Sequence, residues 1–137
     1  MISDAPKLRD FATRYTAAWC SQNAPSVAAF YSTNAALSVN DASPAVGRDA
    51  ITEVVQGFMA AFPDLQVLLD DVSLEGDRAV YKWTLTGANT GPGGTGHLVR
   101  ISGFEQWRMG EDGLIAESQG HIDAAAYQHQ LEHGAEG

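Results

Sequence analysis

A chain of 137 residues with 45% hydrophobic content is long enough to bury one core, and it reads as a single domain over residues 1–137. Its net charge of −9 and pI near 4.6 leave no basic stripe with which to hold a nucleic acid or an anionic membrane, so neither is expected as a partner. No run approaches the ~18 apolar residues of a bilayer span. Met1-Ile2-Ser3-Asp4 lacks the basic and apolar stretches of a signal peptide. Cys20 is the single cysteine, which rules out a disulfide framework and a cysteine-based metal site. The expected compartment is the cytoplasm, with no metal and no cofactor.

The elements follow in chain order. Leu8, Phe11, Ala12, Tyr15, Ala18 and Trp19 recur at helical spacing, with Ser3 or Asp4 as cap and Pro6 in the first turn. Asn23-Ala24-Pro25 breaks that helix and opens a short second one carrying Val27, Phe30 and Tyr31. A brief strand over Ala36–Asn40 leads into a loop that ends at Gly47. Ile51, Val54, Val55, Phe58 and Phe62 share one face of a third helix, which Pro63 stops.

From Leu65 the period changes to two. Val67 and Leu69 alternate with neighbours on the other face, and Glu75-Gly76-Asp77-Arg78 makes a turn. Ala79, Tyr81, Trp83 and Leu85 then share one face of a strand. Gly87–Gly96 is a glycine-rich connection. A long strand over Leu98–Met109 turns at Gly110-Glu111-Asp112-Gly113 and returns over Leu114–Asp123, before a terminal helix over Ala124–Leu131. Helices first and a strand meander afterwards give the α+β class, with the helices packed on a strongly curved antiparallel sheet.

These residues carry a resemblance. Arg14-Tyr15-Thr16-Ala17-Ala18, Val27-Ala28-Ala29-Phe30-Tyr31 and Val39-Asn40-Asp41 resemble the N-terminal half of ketosteroid isomerase. Phe62-Pro63-Asp64-Leu65, the segment from Trp83 to Gly91 and the ending from Asp112 through Asp123 are similar to SnoaL-like polyketide cyclases. The resemblance spans nearly the whole chain and implies the cone-shaped fold of the nuclear-transport-factor superfamily. In that fold three N-terminal helices pack on the concave side of a curved sheet, an α+β barrel. It also implies a homodimer. The expected ligand is a small apolar carbonyl compound, cyclic or polyketide-like, in one pocket with carboxylates. The expected chemistry is acid/base: isomerisation, cyclisation or dehydration. A fold of this kind also hosts epoxide hydrolases and non-catalytic binding proteins, and these are the alternatives.

Five residues are catalytic candidates, four implied by the resemblance and His121 by its place on the last strand. Asp123 matches the cyclases' acid/base aspartate, and a carboxylate in an apolar pocket exchanges protons with carbon acids. Alternation places Gln119 and His121 on its face of the strand, with His121 able to orient it or to donate to a carbonyl. The same Asp123 directly precedes Ala124-Ala125-Ala126 and is equally placed to cap that helix. Asp41 falls where the isomerase keeps its general base. Tyr15 and Glu105 fall where it keeps its oxyanion donors, a phenol and a neutral acid. Tyr15 also fits a plain core stripe, and Glu105 an outward strand position. Trp19, Phe58, Trp83, Trp107, Asn89 and Gln119 are the candidate ligand contacts, the aromatics as pocket walls. Asn89 replaces the histidine usual in the cyclases.

Other patterns carry less. The run Gly91-Pro92-Gly93-Gly94-Thr95-Gly96 lacks the ending of a phosphate loop and fits a mobile lid or plain turn. His129 and His133 stand at metal-ligand spacing on a solvated helix end. Arg100 suits an epoxide hydrolase, but Ser102 stands where that family would place its acid.

Overall fold

The computed structural model describes residues 5–40 and 42–135. The helices form where apolar spacing repeats at 3.6. In α1 (Ala5–Cys20), Leu8, Phe11, Ala12 and Tyr15 lie buried on one face. The Asn23 side chain accepts a hydrogen bond from Ser26 N and so caps α2 (Ala24–Ala28). In α3 (Arg48–Ala61) the buried residues are Ile51, Val55 and Met59, and the helix stops just before Phe62-Pro63. α4 (Ala124–His133) closes the chain with no fully buried residue among those described.

Six strands form one sheet in the order β2-β1-β6-β5-β4-β3. They are β1 (Tyr31–Val39), β2 (Ala45–Val46), β3 (Gln66–Glu75), β4 (Arg78–Ala88), β5 (Leu98–Met109) and β6 (Ile115–Ile122). The α+β class, the curved sheet and the three N-terminal helices match the expectation. Four details differ. The expected loop before Gly47 contains the short strand β2. The second helix ends at Ala28, so β1 begins at Tyr31 and that tyrosine is a strand residue. The sheet is mixed, because β1 runs parallel to β6 while the other pairs are antiparallel. A hairpin forces antiparallel pairing, but no turn joins β1 to β6, so nothing local sets their sense. The sheet also stays open, with β2 and β3 as its edges.

One face of this sheet carries the core. Val99, Ile101, Glu105, Trp107 and Met109 are buried in β5 while Leu98, Arg100, Ser102, Phe104 and Arg108 are exposed, a strict alternation. Trp107 stacks on Tyr81 of the neighbouring strand, with ring centroids 4.8 Å apart. Tyr15 of α1 meets both rings edge-on, at 5.1 and 5.3 Å. The register places Glu105 between Tyr81 on one side and Gly120 on the other. An acid therefore occupies the centre of an aromatic face.

Candidate active site

Beside Glu105 lies a cavity of about 80 Å³. Its wall is built from α1 (Tyr15, Trp19), α3 (Val54, Phe58), the inner sheet face and Tyr127 of α4. Among the described lining residues Glu105 is the one carboxyl, and the remainder are aliphatic, aromatic or glycine.

The surroundings of Glu105 are lopsided. Its Oε1 accepts hydrogen bonds from Ser118 Oγ (2.7 Å), Trp107 Nε1 (3.1 Å), Tyr15 OH (3.1 Å) and Tyr31 OH (3.3 Å). Among the described residues its Oε2 has one long contact, to Tyr15 OH at 3.4 Å. Burial pushes the carboxyl above its ordinary value of 4.5, against the four donors, which pull it down. Burial raises the phenols of Tyr15, Tyr31 and Tyr81 as well, with the Glu105 charge adding to the rise. These phenols therefore stay neutral donors. An acid of raised proton affinity, with one oxygen saturated and the other nearly free beside an apolar cavity, can donate to a ligand oxygen or take a proton from it.

The candidate residues divide sharply. Tyr15 and Glu105 meet, and Trp19, Phe58 and Trp83 line the same cavity. Trp107 lies beneath them, fully buried, and reaches Glu105 without lining the cavity. Asp123 is placed elsewhere: it is exposed, and its carboxylate accepts from Ala126 N at 3.0 Å as the N-cap of α4. His121 and Gln119 sit on the outward face of β6, because Ser118, Gly120 and Ile122 take the inward positions. His121 stacks on Phe104 at 4.7 Å and pairs with Gln106. Asn89 is buried but structural. It donates to Ala61 O (3.1 Å) and accepts from Thr95 N (2.8 Å), which pins the glycine-rich segment as a fixed turn. Arg100 is exposed, away from the cavity. Asp41 lies outside the described residues, although Val39, two positions earlier, lines the cavity.

Tyr31, Ser118 and Tyr127 are among the site residues outside the sequence candidates, as are the aliphatic lining residues. The sequence pattern reads Tyr31 as helical, and its relation to Glu105 depends on the parallel β1–β6 pairing, which has no local sequence mark. Ser118 was discoverable, since Ile122 is apolar and alternation places Ser118 and Gly120 on its face. The rings of His129 and His133 lie 4.7 Å apart at the end of α4. No group of three His, Cys, Asp or Glu side chains among the described residues could hold a metal ion.

Comparison with known proteins agrees with this architecture. A family model described as SnoaL-like polyketide cyclase matches residues 9–131. A protein of Jannaschia sp. CCS1, described as SnoaL-like polyketide cyclase, superposes with a TM-score of 0.81 at 16% identity, covering 97% of this chain and 96% of that one. TsrD from Streptomyces laurentii gives 0.78 at 18% identity, over 96% and 98%. A protein of Catenulispora acidiphila with a ketosteroid isomerase-like fold, in complex with trimethylamine, gives 0.71 at 15%, over 81% and 83%. No curated protein matches the chain in sequence.

Proposed function

The chain belongs to the SnoaL-like polyketide cyclase family, and from that premise we propose that it is an acid/base enzyme for a small, mostly apolar carbonyl compound. The reaction would be of the isomerase, cyclase or dehydratase type. The observation that carries this reading is the buried Glu105 carboxyl of the cavity wall, whose Oε1 lies within reach of four donors and whose Oε2, among the described residues, has one long contact.

The ligand's carbonyl oxygen docks at Oε2 of neutral Glu105 and at the Tyr15 hydroxyl. When a proton leaves the carbon beside that carbonyl, negative charge gathers on the oxygen. A neutral acid and a phenol bind that oxygen more tightly than they bind the ground-state carbonyl, which lowers the barrier. Apolar walls exclude water and strengthen both bonds. The proton on carbon requires a base, and Asp41 is the proposed acceptor. Support comes from its neighbours: Val39 lines the cavity, and Asn40 is anchored to β6 through Asn40 N to Gly120 O (2.7 Å) and Ile122 N to Asn40 Oδ1 (3.0 Å).

The test is hydrogen–deuterium exchange at the α-carbon of a panel of cyclic ketones and 1,3-diketones, followed by NMR in D₂O. Catalysed exchange in the wild type, lost in Asp41→Asn and Glu105→Gln, supports the proposal. A second reading is a non-catalytic binding domain, favoured because one carboxyl alone appears among the described lining residues. Saturable ketone binding with exchange at the background rate would select it.

A further inference from the structure

Two of the groups around Glu105 cannot touch a ligand. Tyr15 and Tyr31 line the cavity, whereas Ser118 and Trp107 do not. Ser118 and Trp107 are both fully buried and face each other as a cross-strand pair on β6 and β5. Resting on the acid/base reading above, we propose that Ser118 and Trp107 are positioning residues. They clamp Oε1 of Glu105, so that Oε2 alone carries and exchanges the proton with the ligand.

The chemistry of the donors separates two classes. The Tyr15 and Tyr31 hydroxyls lie 2.9 Å from each other as well as near Oε1, so each proton can serve either the carboxyl or the other hydroxyl. Either phenol can turn to a ligand oxygen while its neighbour keeps a partner. The indole N–H has no acceptor capacity, and among the described residues its partner is Oε1. The Ser118 hydroxyl makes the shortest contact of the set, 2.7 Å. Two buried donors from neighbouring strands approach the same carboxyl oxygen, which makes it the poorer site for a proton. The proton of the neutral acid is thereby directed to Oε2. Gly120, the residue opposite Glu105 on β6, adds no side chain that would compete for the site. Tyr15 from α1, Tyr31 from β1 and Tyr81 from β4 are the titratable groups facing the carboxyl, and all are raised, so none changes charge where the acid titrates.

The experiment is ¹³C NMR titration of the Glu105 carboxyl in ligand-free protein labelled with glutamate, the resonance being identified by its loss in Glu105→Gln. Ser118→Ala should raise the Glu105 midpoint by roughly one pH unit, as expected for removing a hydrogen bond that favours the ionised form. Ser118→Thr, which restores the hydroxyl, should bring the midpoint back towards the wild-type value. The α-proton exchange profile against pH should shift in the same sense. An unchanged midpoint in folded Ser118→Ala overturns the proposal. If that variant does not fold, Ser118→Cys replaces it: the thiol is a poor donor of similar size, and a midpoint equal to the wild type again overturns the clamp. The titration needs no substrate, so a protein that shows the shift but no ketone exchange loses only the catalytic reading.

Discussion

The hydroxyls of Tyr15 and Tyr31 lie 2.9 Å apart, and each also reaches Oε1 of Glu105. Three polar groups from α1, β1 and β5 thus share their protons inside an aromatic core. Removal of one hydroxyl leaves its partners still bonded to one another. Tyr15→Phe and Tyr31→Phe should each cost about 1 kcal/mol of stability. The double variant should cost less than the sum, because the two share one network. A double-mutant cycle by urea denaturation measures this coupling. Additive losses would show that the hydroxyls act independently.

Glu105→Gln separates binding from proton transfer. The amide carbonyl can replace Oε1, while its NH₂ can donate from the position of Oε2 and imitate the neutral acid. Ketone affinity should persist, while α-proton exchange falls by about 100-fold, because an amide donates more weakly than a carboxylic acid to the developing oxyanion and cannot hand it a proton. Calorimetry and NMR exchange on the same sample read the two effects.

The same variant tests the burial of the acid. The native carboxyl is raised above its ordinary 4.5, so the folded protein keeps its proton after the unfolded chain has lost it. That contribution to stability is complete below the ordinary value and is lost as pH rises through the folded one. Glutamine suffers no such loss. The melting temperature of Glu105→Gln relative to wild type should therefore climb as pH increases above the ordinary carboxyl range. A constant difference from acid to neutral pH would contradict the buried position.

Asp123 supplies a contrast. As a helix cap it should tolerate Asn almost without effect, while Ala should cost about 1 kcal/mol. Thermal denaturation checks both, and ketone exchange should survive in both. A loss of exchange in Asp123→Asn with an unchanged melting temperature would return the proton-transfer role to that residue.

Gly103 controls the shape of the cavity wall. A Cβ there would approach Trp83 Cζ2 at 2.7 Å and the His121 carbonyl oxygen at 2.5 Å. Gly103→Ala should destabilise by about 1–3 kcal/mol through overpacking. It should also displace the Trp83 indole and weaken ketone binding, yet leave the Glu105 titration in place. Calorimetry combined with the carboxyl titration distinguishes this from a general loss of structure.

Much of this was legible in the residue pattern. The helical stripe from Leu8 to Tyr15 and the strict alternation of Val99, Ile101, Trp107 and Met109 determine which faces are buried. That alternation alone places Glu105 inward, because residue 105 falls in step with 101 and 107. The last strand has two faces that periodicity alone leaves equivalent. Gln119, His121 and Asp123 do share a face, but Ile122 marks the opposite one as the inner face. The carboxylate that the resemblance to the cyclases marks, Asp123, is in the structure the N-cap of α4. The parallel partnership of β1 and β6 had no turn to announce it, and Tyr31's place in the site went unseen with it.

Distance along the chain gives the site one more property. Tyr15 and Glu105 are separated by 90 residues, and Tyr31 and Glu105 by 74. Contacts of such span form only after slow closure of the intervening loop, and they slow folding as a whole. Until the first and last strands join, Glu105 is an ordinary solvated acid. At pH values between its unfolded and folded proton affinities, refolding must draw a proton from the solvent as the acid is enclosed. That uptake, visible with a pH-indicator dye in stopped flow, marks the moment the cavity comes into being. A truncated chain without α1 would lack Tyr15 and Trp19, and with them one wall of the pocket.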